Sequence, residues 1–501
     1  MNTKYISLAI PLVVLGACGE CKKQDAKPNI LFIVADDQSY PYTSAYGSKM
    51  VNTPAFDFVA QNGILFNNAY VTSPGCSPSR ACILTGRYPW QLEEAGTHAS
   101  SFQGKYICFP DLLANVGYHI GYTGKGWAPG DWKVSGREHN PAGPEYNKYK
   151  LKPPQSGISN IDYTENFKLF LSLRKDGQPF YFWFGSNEPH RDFEKDSWRE
   201  MDRNLSEAEY PQFLPVSDSI GGDLLDYAVE IAWYDKHLQN MIDILKINGE
   251  LDNTIIVVTA DNGMAFPRAK ANCYDYGVHV PLAICWGKNI KKGEVVNELT
   301  SMINIAPTIL DAAGVKINSE FPITGKSILP QLKGDAKFEN EAVFFGRERH
   351  SSSRRDNLGY PIRAVREKDY LLVRNFRPER NPAGDPQEIK ADGTIGKPFA
   401  AYYDIDNSPS LRYLTNNRLD VKVSKYFHLS VDKRPEYELF NVVHDPACIN
   451  DISTLKPDVM ENLKLILNNK LLETADPRIG ENPEVWESYP RLRGVIRDFA
   501  N

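Results

Sequence analysis

The stretch Ile30-Leu31-Phe32-Ile33-Val34-Ala35-Asp36-Asp37 is an unbroken apolar run that ends on two carboxylates. A run with no polar alternation reads as a strand buried on both faces. A second run of the same kind, Ile255-Ile256-Val257-Val258-Thr259-Ala260, ends on Asp261-Asn262-Gly263. His119–Thr123, Phe180–Phe184 and Thr254–Thr259 read as strands of one series. Helical segments separate them: Pro54–Gln61 with Thr53 as its cap, and about Gly222–Lys246 with Leu225, Val229, Ala232, Leu238, Met241, Ile242 and Leu245 at three-to-four spacing. This alternation predicts an α/β fold, a mixed and mostly parallel sheet sandwiched by helices. In such sheets the working groups sit just past the carboxyl ends of the strands. Asp36, Asp37, Asp261 and Asn262 would form an all-oxygen set there, which suits a hard cation such as calcium or magnesium. Each acidic pair is also an ordinary strand-ending turn, so a third element has to decide between the two readings.

Composition sets the bounds. The chain has 501 residues, a net charge of −6, 42% hydrophobic and 24% charged residues. That is enough apolar material for a large core, and it excludes a disordered or collagen-like chain. The acidic balance argues against a nucleic-acid partner, because counterion release needs a basic face. No apolar run approaches the roughly 18 residues of a membrane span. Met1–Cys18 reads as an export signal, with Lys4, an apolar stretch Tyr5–Leu15, and Leu15-Gly16-Ala17-Cys18. Small residues before a cysteine resemble a bacterial lipoprotein box. That resemblance implies an exported protein, periplasmic or at the cell surface, held to the membrane only by a lipid anchor at Cys18 and a polar tether from Cys21 to Lys27. Among eight cysteines the single CxxC is Cys18–Cys21, so neither a zinc ribbon nor a disulfide framework is indicated. The texture changes around residues 325–345, where shorter strand-like pieces begin (Ala342–Phe345, Tyr370–Val373) with a Pro-, Gly- and Asp-rich stretch between. The expected division is 1–27 signal and tether, 28–335 catalytic α/β domain, and 336–501 a smaller antiparallel α+β subdomain contributing to the substrate pocket. A helix is expected near Lys456–Leu472.

The third element is Ser73-Pro74-Gly75-Cys76-Ser77-Pro78-Ser79-Arg80, continued by Leu84-Thr85-Gly86-Arg87. It resembles the signature of the type I sulfatase family, in which a formylglycine-generating maturation enzyme oxidises the cysteine. The resemblance runs over roughly residues 28–480 and takes in Gly124-Lys125, Pro189-His190-Arg191, Gly277–Leu282 and Tyr437–Pro446. Within the family it is nearest the sulfamidase, or heparan N-sulfatase, branch, through Asp261–Pro267, Pro189–Arg191 and Phe345–His350. It implies an alkaline-phosphatase-like fold and a carbohydrate sulfatase acting on the end of a sulfated oligosaccharide.

The same resemblance assigns roles. Asp36, Asp37, Asp261 and Asn262 would hold one calcium ion, completed by an oxygen of hydrated formylglycine at Cys76. One oxygen of that geminal diol attacks sulfur. Arg80 orients the diol, Lys125 and Lys270 bind sulfate oxygens, and His190 is the acid for the leaving oxygen or nitrogen. Arg191, Arg347, Glu348 and His350, with Arg349, Arg354 and Arg355, would form a locally positive substrate mouth in an acidic protein. Two positions depart from the pattern. Trp127 stands where many sulfatases have a histidine two residues after the lysine, and Asn187-Glu188 stands where sulfamidases have His-Asp. His279 reads as a core histidine. Phosphatases of the same fold need two zinc ions and clustered histidines, whereas the strand end here is Asp-Asn-Gly. A catalytically silent glycan-binding lipoprotein stays open because of Trp127, as does the choice between an O-sulfate and the N-sulfate of glucosamine.

Overall fold

The computed structural model describes residues 27–317, 322–339 and 342–497. The export signal and most of the tether therefore lie outside the described residues. Eight strands form the larger sheet: β1 (Asn29–Ala35), β2 (Ile64–Tyr70), β3 (His119–Gly124), β4 (Phe180–Gly185), β5 (Thr254–Ala260), β6 (His279–Cys285), β7 (Glu294–Val296) and β8 (Thr300–Ser301). Their order is β3-β4-β1-β5-β6-β2-β7, with β8 pairing β2. β1 is parallel to β4 and β5, β3 is parallel to β4, and β6 runs antiparallel between β5 and β2. Every residue of β1 and β5 is buried, which is why neither run alternates with polar residues. Among the described residues no helix is long and apolar enough to cross a membrane.

Register decides where the chemistry converges. Ala35 of β1 lies opposite Ala260 of β5, and the Asp261 amide donates to the Ala35 carbonyl at 3.0 Å. Two acidic turns far apart in sequence thus leave neighbouring strands at the same level.

The helix Pro54–Gln61 forms where its pattern places it, but Thr53 is not its side-chain cap. The Thr53 hydroxyl is engaged with Ser44, and the Ala55 and Phe56 amides donate instead to the Asp235 carboxylate, each at 2.9 Å. A side-chain cap arrives from the helix Asp218–Ile247 and satisfies donors that would otherwise be orphaned. That long helix begins ahead of its apolar stripe because Ser217 accepts from the Ile220 amide.

The second sheet holds β9 (Val343–Arg347), β10 (Ile362–Glu367), β11 (Tyr370–Asn375) and β12 (Tyr437–Asn441), antiparallel throughout in the order β12-β11-β10-β9. The helix Pro457–Glu473 packs against β10 and β11. Edge strand β9 docks on the larger lobe, where the Gly346 amide donates to the Thr72 carbonyl at 2.9 Å and Arg347 to the carbonyl of Ala271. Behind it the Asp404 carboxylate receives Arg347, Arg354 at 2.8 Å, and the Ser351 amide and hydroxyl at 2.9 and 2.7 Å.

Burial pushes the Asp404 carboxyl up, but Arg354 and Arg347 outweigh burial and hold it far below the carboxylate range. A carboxyl depressed in the folded state contributes stability above its unfolded value, here 3.8, and loses it as pH falls below that value. Asp404→Asn would leave two arginines buried with one neutral partner. It is expected to cost about 3–5 kcal/mol at pH 7, the worth of a broken buried pair. It is also expected to flatten the acid limb of the stability curve below about pH 4. Urea unfolding at both pH values checks this; wild-type stability in the variant would show that Asp404 is not the anchor.

Candidate active site

Cys76 opens the helix Cys76–Thr85 and is 1% exposed. Its thiol donates to Asp36 Oδ1 at 3.3 Å and lies 3.7 Å from Asp37 Oδ1. Asp36, Asp37, Asp261 and Cys76 each bring one ligand atom within 4.8 Å of the others, and all four are buried. Asn262 joins them: its amide nitrogen donates to Asp37 Oδ1 at 2.7 Å, while its Oδ1 is buried without a partner. Asp37 sits at φ 72°, a left-handed turn that few side chains adopt, and its amide donates to Asp261 Oδ1 at 3.1 Å. The residue after Asn262 must be glycine, because a Cβ on Gly263 would lie 1.8 Å from the Tyr276 carbonyl oxygen.

Three cations face the three carboxylates. Lys125 Nζ is 2.5 Å from Asp36, Lys270 Nζ 2.6 Å from Asp37, and Arg80 Nε 2.7 Å from Asp261. Arg80 Nη1 also donates to the carbonyls of Lys125 and Gly126, at 2.6 and 3.1 Å, so it fixes the backbone that carries Lys125. That backbone in turn needs Gly185, whose Cβ would fall 1.8 Å from the Lys125 carbonyl. Arg80 Nη2 is left buried and unpartnered, 3.8 Å from Asp36 Oδ1.

These neighbours set the acidities. Burial pushes the Asp36 carboxyl up, but Lys125, His190, Arg80 and Lys270 prevail and hold it well below its ordinary value. Burial and the adjacent Asp36 push Asp261 up to about 7. Burial and Asp36 also push the Cys76 thiol well above its usual value. An unmodified Cys76 therefore stays a thiol, which is not a nucleophile.

The donor set fits a hard cation. It offers three carboxylates and an orphaned amide oxygen, and among the described residues His190 is the single histidine in a candidate ligand group, short of the histidine cluster zinc prefers. Such an ion would take over the carboxylates and release Lys125 and Lys270 to bind an anion.

The structure brings His190 to the same place. Its Nδ1 lies 2.6 Å from the Arg191 carbonyl, so Nδ1 carries the proton, and Nε2 points to Asp37 Oδ2 at 3.8 Å. The ring is 36% exposed, open toward a substrate. Glu188 is instead internal: it accepts from Tyr163, Ser186 and the Ser159 amide, and its own carbonyl accepts from the Asp36 amide. Trp127 turns inward against Phe102, with its backbone held by Asn140. His279 is satisfied by Asp275 and the Asn67 carbonyl and stacks between Tyr40 and Tyr70.

The expected substrate mouth is placed differently. Arg191 grips Asp223 through both terminal nitrogens at 2.6 and 2.9 Å, gives its Nε to the Ala265 carbonyl, and lies between the Phe193 and Phe266 rings. Arg347 and Arg354 are committed to Asp404, and Glu348 to Arg363 and Arg478. Arg347, Glu348 and Arg354 are buried, because the end of β9 and the loop after it run along the seam between the lobes and not over the surface. Arg349 is buried in the same seam, and only Arg355 of the basic run is exposed. His350 does reach the site: its Nδ1 would touch a Cβ on Gly75 at 3.2 Å, and its ring stacks on His98 at 4.4 Å. His98 and Asp406, which the sequence left unmarked, also stand at the pocket. Asp406 Oδ2 is 3.3 Å from Lys270 Nζ. Nothing local distinguishes either residue, since each is defined by partners hundreds of positions away.

Comparison with known proteins agrees with this geometry. The Sulfatase family model matches residues 28–315, more than half the chain, and the model for the N-sulphoglucosamine sulphohydrolase C-terminal region matches residues 269–390. The chain is 27% identical over 510 residues to the human N-sulphoglucosamine sulphohydrolase, covering 93% of each. It is 27% identical over 414 residues to an ulvan-active sulfatase of Formosa agariphila, covering 80% of this chain and 78% of that one. Among solved structures, one in complex with D-glucosamine-2-N,6-O-disulfate shares the fold with a TM-score of 0.63, at 19% identity and over 91% of this chain and 99% of that one.

If the acidic cluster takes a divalent cation, calcium should raise the melting temperature of metal-stripped protein. At a hundredfold excess over Kd the gain is about 2.7 kcal/mol. Asp37→Asn should abolish that gain. Differential scanning calorimetry with and without calcium measures it, and an unchanged melting temperature would argue against a cation site.

Proposed function

We propose, from the premise that the chain belongs to the sulfatase family and is a sulfuric ester hydrolase, that it removes sulfate from the end of a sulfated oligosaccharide through formylglycine at Cys76 and one calcium ion. The observation that carries this reading is the pair of unfilled polar atoms at the nucleophile. Arg80 Nη2 is a buried donor without an acceptor, and Asn262 Oδ1 is a buried acceptor without a donor. Buried polar groups are rarely left unpaired. A hydroxyl on residue 76 would satisfy the first, and a cation would satisfy the second.

Calcium held by Asp36, Asp37, Asp261 and Asn262 would supply Lewis acidity that favours the ionised form of the nucleophilic oxygen. Formylglycine supplies that oxygen as a hydrate, which a thiol held protonated cannot do. Lys125 and Lys270 pass from their carboxylates to the sulfate oxygens and oppose the charge that develops there. His190 delivers a proton to the leaving group. Because its Nδ1 proton is committed to the Arg191 carbonyl, it can do so only from Nε2 and only as imidazolium. The maturation enzyme must reach Cys76 before the chain closes, since the folded protein leaves it 1% exposed.

Chain-end action is supported by the docking of β9 on the loop before Cys76, which closes one flank of the site. A second reading, cleavage of the N-sulfate of glucosamine, is favoured by the match over residues 269–390 and by the human relative. For an exported lipoprotein anchored at Cys18, the seven residues of β1 separate Pro28 from Asp36, or about 20 Å. The pocket would then open away from the membrane.

Protein co-expressed with a formylglycine-generating enzyme is expected to show conversion at Cys76 in a peptide map. It should then desulfate one of a panel of N-, 6-O- and 4-O-sulfated sugars. Conversion without turnover of any sugar would favour a glycan-binding protein, and absence of conversion would remove the mechanism. His190→Ala is expected to cost about 10²–10⁴ in kcat on a sugar sulfate, the usual worth of a general acid. It should cost far less on 4-nitrophenyl sulfate, whose leaving group needs no proton. Equal losses on both would sink the acid role.

A further inference from the structure

One carboxylate at the pocket has no place in the proposed chemistry. Asp406 presents a side chain that is 28% exposed and pairs with Lys270 Nζ at 3.3 Å, the same ammonium that Asp37 holds at 2.6 Å. Among the described residues it accepts no hydrogen bond beyond that ion pair. Its position is held from both directions along the chain. Asp404, just before it, is clamped by Arg347, Arg354 and Ser351. Just after it, Ser408 caps the helix Pro409–Asn416, and Ser410 binds Asp223, the carboxylate that also grips Arg191. Burial pushes Asp406 up, but Lys270, His190, His350 and Arg191 bring it down to about 2, so it is charged wherever the enzyme works.

A fixed negative charge next to a lysine that binds sulfate opposes the sulfate unless its oxygens meet donors. A substrate can bring such donors only on its leaving group, as hydroxyl or N–H groups of a sugar. Resting on the sulfatase reading, we infer that Asp406 is a specificity-determining residue: it accepts from a free hydroxyl or N–H of the leaving sugar and repels a second anionic group at that place. The substrate class is then a sugar that carries one sulfate at the scissile position and neutral donors beside it. Specificity arises as much from the rejected charge as from the accepted hydrogen bond.

The test compares formylglycine-bearing wild type with Asp406→Asn, an isosteric change that keeps the segment's packing, on three kinds of substrate. These are 4-nitrophenyl sulfate, singly sulfated glucosamines and galactoses, and N,6-O-disulfated glucosamine. On the best singly sulfated sugar the variant is expected to lose about tenfold or more in kcat/KM, chiefly through KM, beyond any loss on 4-nitrophenyl sulfate. That is the worth of one hydrogen bond to a charged group. The wild-type preference for singly over doubly sulfated sugar is expected to narrow by a similar factor. Equal losses on aryl and sugar sulfates, or no loss on either, would overturn the assignment and mark Asp406 as only a partner of Lys270. Wild type active on 4-nitrophenyl sulfate but on no sugar would also overturn it. Wild type inactive on every sulfate ester would instead overturn the sulfatase reading on which it rests.

Discussion

Three carboxylates share one dry pocket in this protein, and the rest of the structure depends on how that charge is met. Asp36, Asp37 and Asp261 leave two adjacent parallel strands at one level, all three buried. Left alone they would protonate or push the strand ends apart. Arg80, Lys125 and Lys270 prevent this, one cation to each carboxylate. That pairing holds while nothing is bound. A divalent cation bound there would displace the lysines from their carboxylates, and the freed lysines would attract an anion. In the proposed chemistry, one electrostatic constraint would couple the folding of the strand ends, the cation and the capture of sulfate.

The smaller lobe solves a different problem. Its edge strand β9 would present unpaired backbone to solvent, yet it lies against the loop that carries Cys76. The seam this creates is lined with charge. Arginines 347 and 354 converge on Asp404, while 363 and 478 converge on Glu348. Each of these pairs is buried and held by charge-assisted contacts, so the seam fixes the orientation of the lobes and commits most of its charges internally. Asp406 is the exception, because the anchors on either side of it turn it outward to the pocket.

Much of the fold was legible in the sequence. The apolar runs of β1, β4 and β5 and the stripe of Asp218–Ile247 are periodic signals that burial imposes locally. The acids that end β1 and β5 and the loop around Cys76 were equally visible, because each is a contiguous word. The Thr53 cap was not, since a local threonine and a distant Asp235 look alike in one dimension and only packing shows which reaches the amides. The basic run from Arg347 to Arg355 misled for a related reason. A charge looks like surface until its partners are known, and Asp404, Arg363 and Arg478 lie on other elements.

What the sequence by itself determined is therefore the set of groups available for chemistry. It supplied a cysteine in a modifiable loop, an all-oxygen ligand set, two lysines and a histidine. Those identities are visible because each sits in a short contiguous segment, and the stretch around Cys76 decides between the ligand and turn readings of the acids. The tertiary structure alone decided which charges face a substrate and which are spent internally. That outcome depends on strand register and on the docking of two lobes, both of which sum weak contacts between residues hundreds of positions apart.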